Sequence, residues 1–110
     1  MIYELRHYIA KPGRAAELSA RFRDHVFPIM RRHGLVVHEF WESADGSGEL
    51  YYVMAWRDEA EMTRLWATFR GDPDWLAARA ATEKEHGTPI QSSTSALLRR
   101  VPYFSPTDFA

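Results

Sequence analysis

Hydrophobic and polar side chains alternate with a period of two at the start of the chain, over residues 2–9. This alternation predicts a β-strand. Segments 35–43, 49–57 and 90–101 are also predicted to be strands, the last one more polar than the others. The run Asp45-Gly46-Ser47-Gly48 has the residues of a hairpin turn, so the second and third strands should be antiparallel neighbours.

Between the first two strands, apolar residues recur at helical spacing, and Gly34 marks the end of the helix. Pro28 lies inside this pattern, so we expect the helix to be kinked or divided there. The apolar positions are Ala15, Leu18, Phe22, Val26, Ile29 and Met30.

A second helical region follows the third strand and is predicted in two pieces. Asp58 with Glu61 resembles a capping box at its start. Gly71-Asp72-Pro73 interrupts the helical pattern, and a further helix continues from Trp75 to about Gly87. The buried stripe of the first piece consists of Met62, Leu65, Trp66 and Phe69.

The order of elements is βαββαβ, with the second helix broken in two. We therefore predict one α+β domain over residues 1–110, a ferredoxin-like fold with a four-stranded antiparallel sheet and helices on one face. The second and third strands are apolar on both faces, whereas a sheet with one solvated face alternates more cleanly. We expect the second face to pack on the sheet of a partner chain, as a homodimer.

Composition and charge exclude several classes of function. The net charge is −1 and there is no basic–aromatic array, so we predict no nucleic-acid partner. The chain has no cysteine, which excludes thiolate catalysis and disulfides. We expect no secretory leader, no membrane span and a cytoplasmic location.

Short motifs resemble those of the NIPSNAP family over nearly the whole chain. They are Met1-Ile2-Tyr3-Glu4-Leu5-Arg6 with Tyr8 and Lys11-Pro12-Gly13, the turn from Phe69 to Trp75, Leu97-Leu98-Arg99, and Pro106-Thr107-Asp108-Phe109. The last two are separated by residues 101–105, a departure from the family pattern. The resemblance implies a dimeric α/β barrel of two ferredoxin-like protomers packed sheet to sheet. It implies no settled activity and no catalytic motif.

Five histidines are the obvious candidates for chemistry. No two of them have the i, i+4 spacing of a helical zinc site, so we predict no metal site and no cofactor. His7 and His38 lie on predicted strands; if both point under the helices, they approach each other and one can transfer a proton. The alternative is that each is a core histidine bonded to a backbone carbonyl.

Two further groups of residues are assigned roles in binding. Glu4, Arg6, Glu39 and Trp41 are predicted to meet the partner in the dimer interface. Tyr3, Trp56, Trp66 and Trp75 are predicted to line a hydrophobic ligand pocket, with simple core packing as the alternative.

Three functions remain open from the sequence. The first is a binding protein for a small apolar or aromatic ligand. The second is a cofactor-independent isomerase or monooxygenase that uses a strand histidine on an aromatic or lactone-like substrate. The third is a haem-handling protein with one of the same histidines as axial ligand.

Overall fold

The computed structural model describes residues 1–110 and contains four strands and four α-helices. The strands are β1 (Ile2–Ala10), β2 (Val36–Glu42), β3 (Leu50–Trp56) and β4 (Ile90–Leu98). The helices are α1 (Ala15–Arg21), α2 (Phe27–Arg32), α3 (Glu59–Arg70) and α4 (Pro73–Glu83). No helix is both long enough and apolar enough to cross a membrane.

All strand pairs are antiparallel, and the strand order in the sheet is β2-β3-β1-β4. This order and the βαββαβ sequence of elements confirm the predicted ferredoxin-like α+β fold. β1 and β3 are the central strands, so side chains on their helix-facing sides are the most enclosed. The four most enclosed residues on β3 alternate accordingly, Leu50, Tyr52, Met54 and Trp56, and Ala55 on the other face is buried as well.

The first helical region is divided, as the proline in it predicts. A π-helical segment, Phe22–Val26, separates α1 from α2, and Pro28 lies in the first turn of α2. Proline has no N–H to donate to the carbonyl four residues earlier, so regular α-helix cannot pass through this position. The wider turn of the π-segment directs Phe22 and Val26 into the core.

The break between α3 and α4 also occurs where the sequence predicts it. The side chain of Asp72 accepts hydrogen bonds from the backbone N–H groups of Asp74 (2.8 Å) and Trp75 (3.1 Å), which caps α4. Arg32 and His33, at the end of α2, both bind the other oxygen of Asp72. These hydrogen bonds hold the pKa of Asp72 well below its ordinary value. The bond with His33 has the largest effect, and the bond with Arg32 the next largest. The cap thus connects two helices as well as starting one.

The side chains of β2 do not alternate regularly between the two faces of the sheet, because the strand has an irregularity at His38. Val37 pairs with Met54, but the next residue in register is Glu39, opposite Val53. The extra residue reverses the alternation, which places Val37 and Phe40 on the helix side and Trp41 on the other. A period-two pattern read through residues 35–41 therefore groups these side chains wrongly.

Candidate functional site

A cleft of about 250 Å³ lies between the helices and the sheet. A smaller cavity of about 80 Å³ adjoins it and shares several of its walls. The residues common to both are Tyr8, Arg21, Trp66, Phe69, Trp75 and Ile90. β1, α1, α3, α4 and β4 all contribute, so the cleft forms only when the whole domain is folded.

Aromatic rings form one wall of the cleft. Phe69 lies between Trp66 and Trp75, with ring centroids 5.9 Å and 5.2 Å away. The break at Gly71-Asp72-Pro73 causes this arrangement, because it turns α4 so that Trp75 returns to the end of α3. Flat apolar surfaces of this kind stack favourably against another ring.

Four arginines also line the cleft: Arg6, Arg21, Arg70 and Arg79. Glu83 is the only carboxylate in the lining and binds two of them, Arg21 at 3.0 Å and Arg79 at 3.1 Å. Arg70 has no carboxylate partner and lies 5.6 Å from the Trp66 ring centroid. Guanidinium groups and aromatic faces therefore meet in one place.

Among the arginines that line the cleft, Arg6 is the one on β1. It donates to Glu4 (2.9 Å) and to the hydroxyl of Tyr8 (2.8 Å), and it lies 5.1 Å from the Trp66 ring centroid. Burial by itself disfavours its charge, but Tyr52, Tyr8 and Glu4 outweigh that effect, so its pKa is raised. Arg6 is therefore a fixed positive charge on the helix-facing side of the sheet.

Glu4 is buried beneath the same helices. One of its oxygens accepts from the indole N–H groups of Trp56 (3.1 Å) and Trp66 (2.8 Å). The other accepts from Ser95 (2.7 Å) and Arg6 (2.9 Å). Burial by itself raises a carboxyl pKa, yet the hydrogen bonds from Ser95, Trp66 and Arg6 overcome it and lower the pKa of Glu4.

The assignment of Glu4 and Arg6 to a dimer interface is wrong. Both are on the helix-facing side of β1, opposite Met54 and Tyr52, and their charges are neutralised within the chain. By contrast, Glu39 and Trp41 lie on the other side of the sheet, and Trp41 is 49% exposed.

The four residues assigned to a ligand pocket do not share one site. Trp66 and Trp75 line the cleft together. Trp56 is fully buried in the core, 5.6 Å from the ring of Trp66, and lines no cavity. Tyr3 is on the opposite side of the sheet, where its ring packs against His38 and Arg100.

The two strand histidines do not meet under the helices. His7 lies on the side of the sheet away from them, where its Nε2 is 2.7 Å from a carboxylate oxygen of Glu49. Its ring stacks on Tyr51 with centroids 4.2 Å apart. His38 is at the β2 irregularity, against Tyr3. Neither is a core histidine bonded to a backbone carbonyl, so that alternative is wrong as well.

Sequence reasoning missed the arginines and Tyr8 as residues of the cleft. Arg79 follows Trp75 by four positions on α4, but its side chain is 58% exposed. Arg21 follows Leu18 by three positions, so it lies on the buried face of α1. A cation at such a position is a detectable signal. The meeting of these residues across elements is not, because it depends on how α1 and α4 pack.

Several proteins of known structure share this fold. A NIPSNAP family protein from Agrobacterium tumefaciens is 17% identical, with a TM-score of 0.80 over 96% of each chain. An uncharacterized NIPSNAP domain protein from Burkholderia xenovorans is also 17% identical, with a TM-score of 0.79 over 96% of this chain and 99% of that one. An antibiotic biosynthesis monooxygenase is 14% identical, with a TM-score of 0.65 over 93% of this chain and 100% of the other. These likenesses establish the fold alone.

At the level of sequence, no curated protein matches the chain significantly. The family model named NIPSNAP, however, matches residues 3–106. That match includes all four helices, every residue that lines the cleft, and all four strands except the first residue of β1, Ile2. The chain belongs to the NIPSNAP family.

Proposed function

We propose that this protein binds a small apolar or aromatic molecule in the cleft between the helices and the sheet. The observation that supports this most is the aromatic wall of Trp66, Phe69 and Trp75 facing a space of about 250 Å³. Pockets of about 300–1,000 Å³ hold drug-sized molecules. The cleft therefore suits a ligand of one ring or two fused rings.

The π-helical segment at Phe22–Val26 adds support to this location. Both of its buried residues, Phe22 and Val26, line the small cavity that adjoins the cleft. Single π-turns inside helices are frequent at functional sites.

Titration calorimetry with indole, a neutral aromatic probe, tests this proposal. We expect saturable binding to the unmodified protein and a loss of at least about tenfold in affinity for Trp75→Ala, because stacking area is removed. Trp41→Ala is the matched control, since Trp41 is on the opposite side of the sheet, and should bind as the unmodified protein does. Equal losses in both variants, or no binding at all, would contradict the proposal.

We further propose that two chains pack through the sheet face that the helices do not cover, hereafter the open face. Apolar side chains on it come from all four strands: Val36 and Trp41, Val53, Leu5, and Leu98. Trp41 and Leu98 are 49% and 46% exposed in the single chain. A contiguous exposed apolar surface is typical of an interface, and Glu39 and Trp41 would then be interface residues.

A second candidate function is proton transfer by His7. Its short contact with Glu49 and its stacking on Tyr51 fix the imidazole in one orientation, as in carboxylate–histidine pairs that act as general bases. A second chain on the open face would exclude water from this pair. His38 is exposed in the single chain and would line the same space near Tyr3.

The test is base-catalysed ring opening of 5-nitrobenzisoxazole, which needs only removal of a carbon-bound proton. His7→Ala should lose most of the protein-dependent rate, and His86→Ala, which removes an exposed histidine at 75% side-chain exposure, should lose none. The same rate in both variants would eliminate His7 as the base.

The geometry at His7 gives no support to the haem alternative, because Glu49 engages the nitrogen that would ligate iron. The cytoplasmic location stays a prediction from the sequence.

A further inference from the structure

We infer that the ligand of the cleft is an aromatic carboxylate, with the ring against the tryptophans and the carboxylate among the arginines. This inference rests on the proposed function and specifies the chemical class of the ligand. The protein as a whole has a net charge of −1, so a concentration of positive charge at one cavity is a local property of the fold.

The balance of charge around the cleft is the first observation. Four arginines and one glutamate line it: Glu83 is shared between Arg21 and Arg79, and Arg6 is paired with Glu4 on β1. Arg70 is left with no carboxylate and no side-chain hydrogen bond within the chain. Several guanidinium groups near each other repel, and an anion placed among them lowers the energy of the folded protein.

Unused hydrogen-bond donors are the second observation. The Nε of Arg6 is the only buried side-chain nitrogen or oxygen in the chain without a hydrogen-bond partner. The hydroxyl of Tyr8 accepts from Arg6 and from Tyr52 (3.4 Å), which leaves its own hydrogen to donate. Buried donors are normally satisfied, and both of these residues line the cleft.

The chemistry of these donors indicates a carboxylate. Arginine presents planar, paired N–H groups that match the two oxygens of a carboxylate. The Trp66 ring lies within 5.6 Å of both Arg6 and Arg70, so an aromatic ring on Trp66 would hold an attached carboxylate near both cations. A neutral ligand would leave the donors unpaired, at a cost in affinity.

The experiment compares three probes by titration calorimetry at low salt: benzoate, benzyl alcohol and acetate. Benzoate has ring and charge, benzyl alcohol has only the ring, and acetate has only the charge. We expect benzoate to bind at least about tenfold more tightly than either of the others. Benzyl alcohol binding as tightly as benzoate would overturn the carboxylate inference and leave ring binding intact.

Acetate binding as tightly as benzoate would also overturn it, because the ring would then add nothing. Failure of all three to bind would overturn the proposed function together with this inference. The three failures are thus distinguishable from one another.

Two matched variants locate the charge. Arg70→Gln should weaken benzoate binding about tenfold and leave benzyl alcohol binding unchanged, which a folding defect would not do. Arg64→Gln removes an exposed arginine of the same helix that does not line the cleft, and it should have no effect on either probe. Equal loss in the two variants would indicate general electrostatics rather than a site at Arg70.

Discussion

Four donors surround the carboxylate of Glu4, and they come from β1, β3, β4 and α3. One side chain therefore links the two central strands and β4 to a helix. Each oxygen accepts two hydrogen bonds. If a hydrogen-bond donor such as an amide NH₂ group replaced one of these oxygens, it would point at other donors and find no acceptor.

We expect Glu4→Gln to lower the free energy of unfolding at neutral pH by about 3 kcal/mol, since it removes the buried charge opposite Arg6 and introduces an amide N–H₂. Urea unfolding followed by tryptophan fluorescence measures this. A change below about 1 kcal/mol would show that the network adds little stability.

The pH dependence has a definite sign. The pKa of Glu4 is lowered from its ordinary value of 4.5, so its contribution is present above that value and is lost as the pH falls through the folded-state pKa. Protonated Glu4 resembles glutamine, so the difference between the variant and the unmodified protein should shrink as the pH falls below 4.5. A difference that stays constant would contradict this role.

Residue roles on β1 were only partly predictable from the sequence. The alternating pattern correctly places Glu4 and Arg6 on one face of β1 and His7 on the other. It does not identify which of the two faces packs against the helices. The partners that make a buried Glu4 acceptable, Trp56 and Trp66, are 52 and 62 positions away in the chain. Contacts at such separations leave no trace in local periodicity.

At the scale of elements, local turn chemistry was the most informative signal. The Asp58 cap, the hairpin at Asp45–Gly48 and the break of the second helix at Gly71-Asp72-Pro73 all occur where the sequence predicts them. The β2 irregularity was not predictable, because it results from the pairing of two strands rather than from the composition of one. It reversed the expected faces of the residues that follow it.

The hairpin turn provides a prediction at this scale. Gly46 and Gly48 both have positive φ, of 79° and 80°, but only Gly48 faces a neighbour: an added Cβ would overlap the Cβ of Ala15 at the start of α1. We expect Gly48→Ala to lower the free energy of unfolding by about 1–3 kcal/mol more than Gly46→Ala. Equal losses for the two variants, measured by urea unfolding, would show that α1 yields freely at this contact.

For the whole molecule, the proposal with the largest structural consequence is dimerisation through the open face. We expect sedimentation equilibrium to show a dimer at micromolar concentration and Trp41→Glu to shift it towards monomer, because a charge would be buried in the interface. Leu76→Glu is the control, since Leu76 is equally exposed, at 50%, but lies on α4. A stable monomer for the unmodified protein, or dissociation by both variants, would contradict the proposed interface.

The central claim, ligand binding in the cleft, can be located with the four tryptophans of the chain. Their indole N–H signals report three places: Trp66 and Trp75 line the cleft, Trp56 is in the core, and Trp41 is on the open face. The measurement is a two-dimensional ¹H–¹⁵N NMR titration of the labelled protein with benzoate. We predict saturable shifts of the Trp66 and Trp75 signals while the Trp41 signal stays in place; a shift of Trp41 alone, or no saturable shift, would contradict the claim.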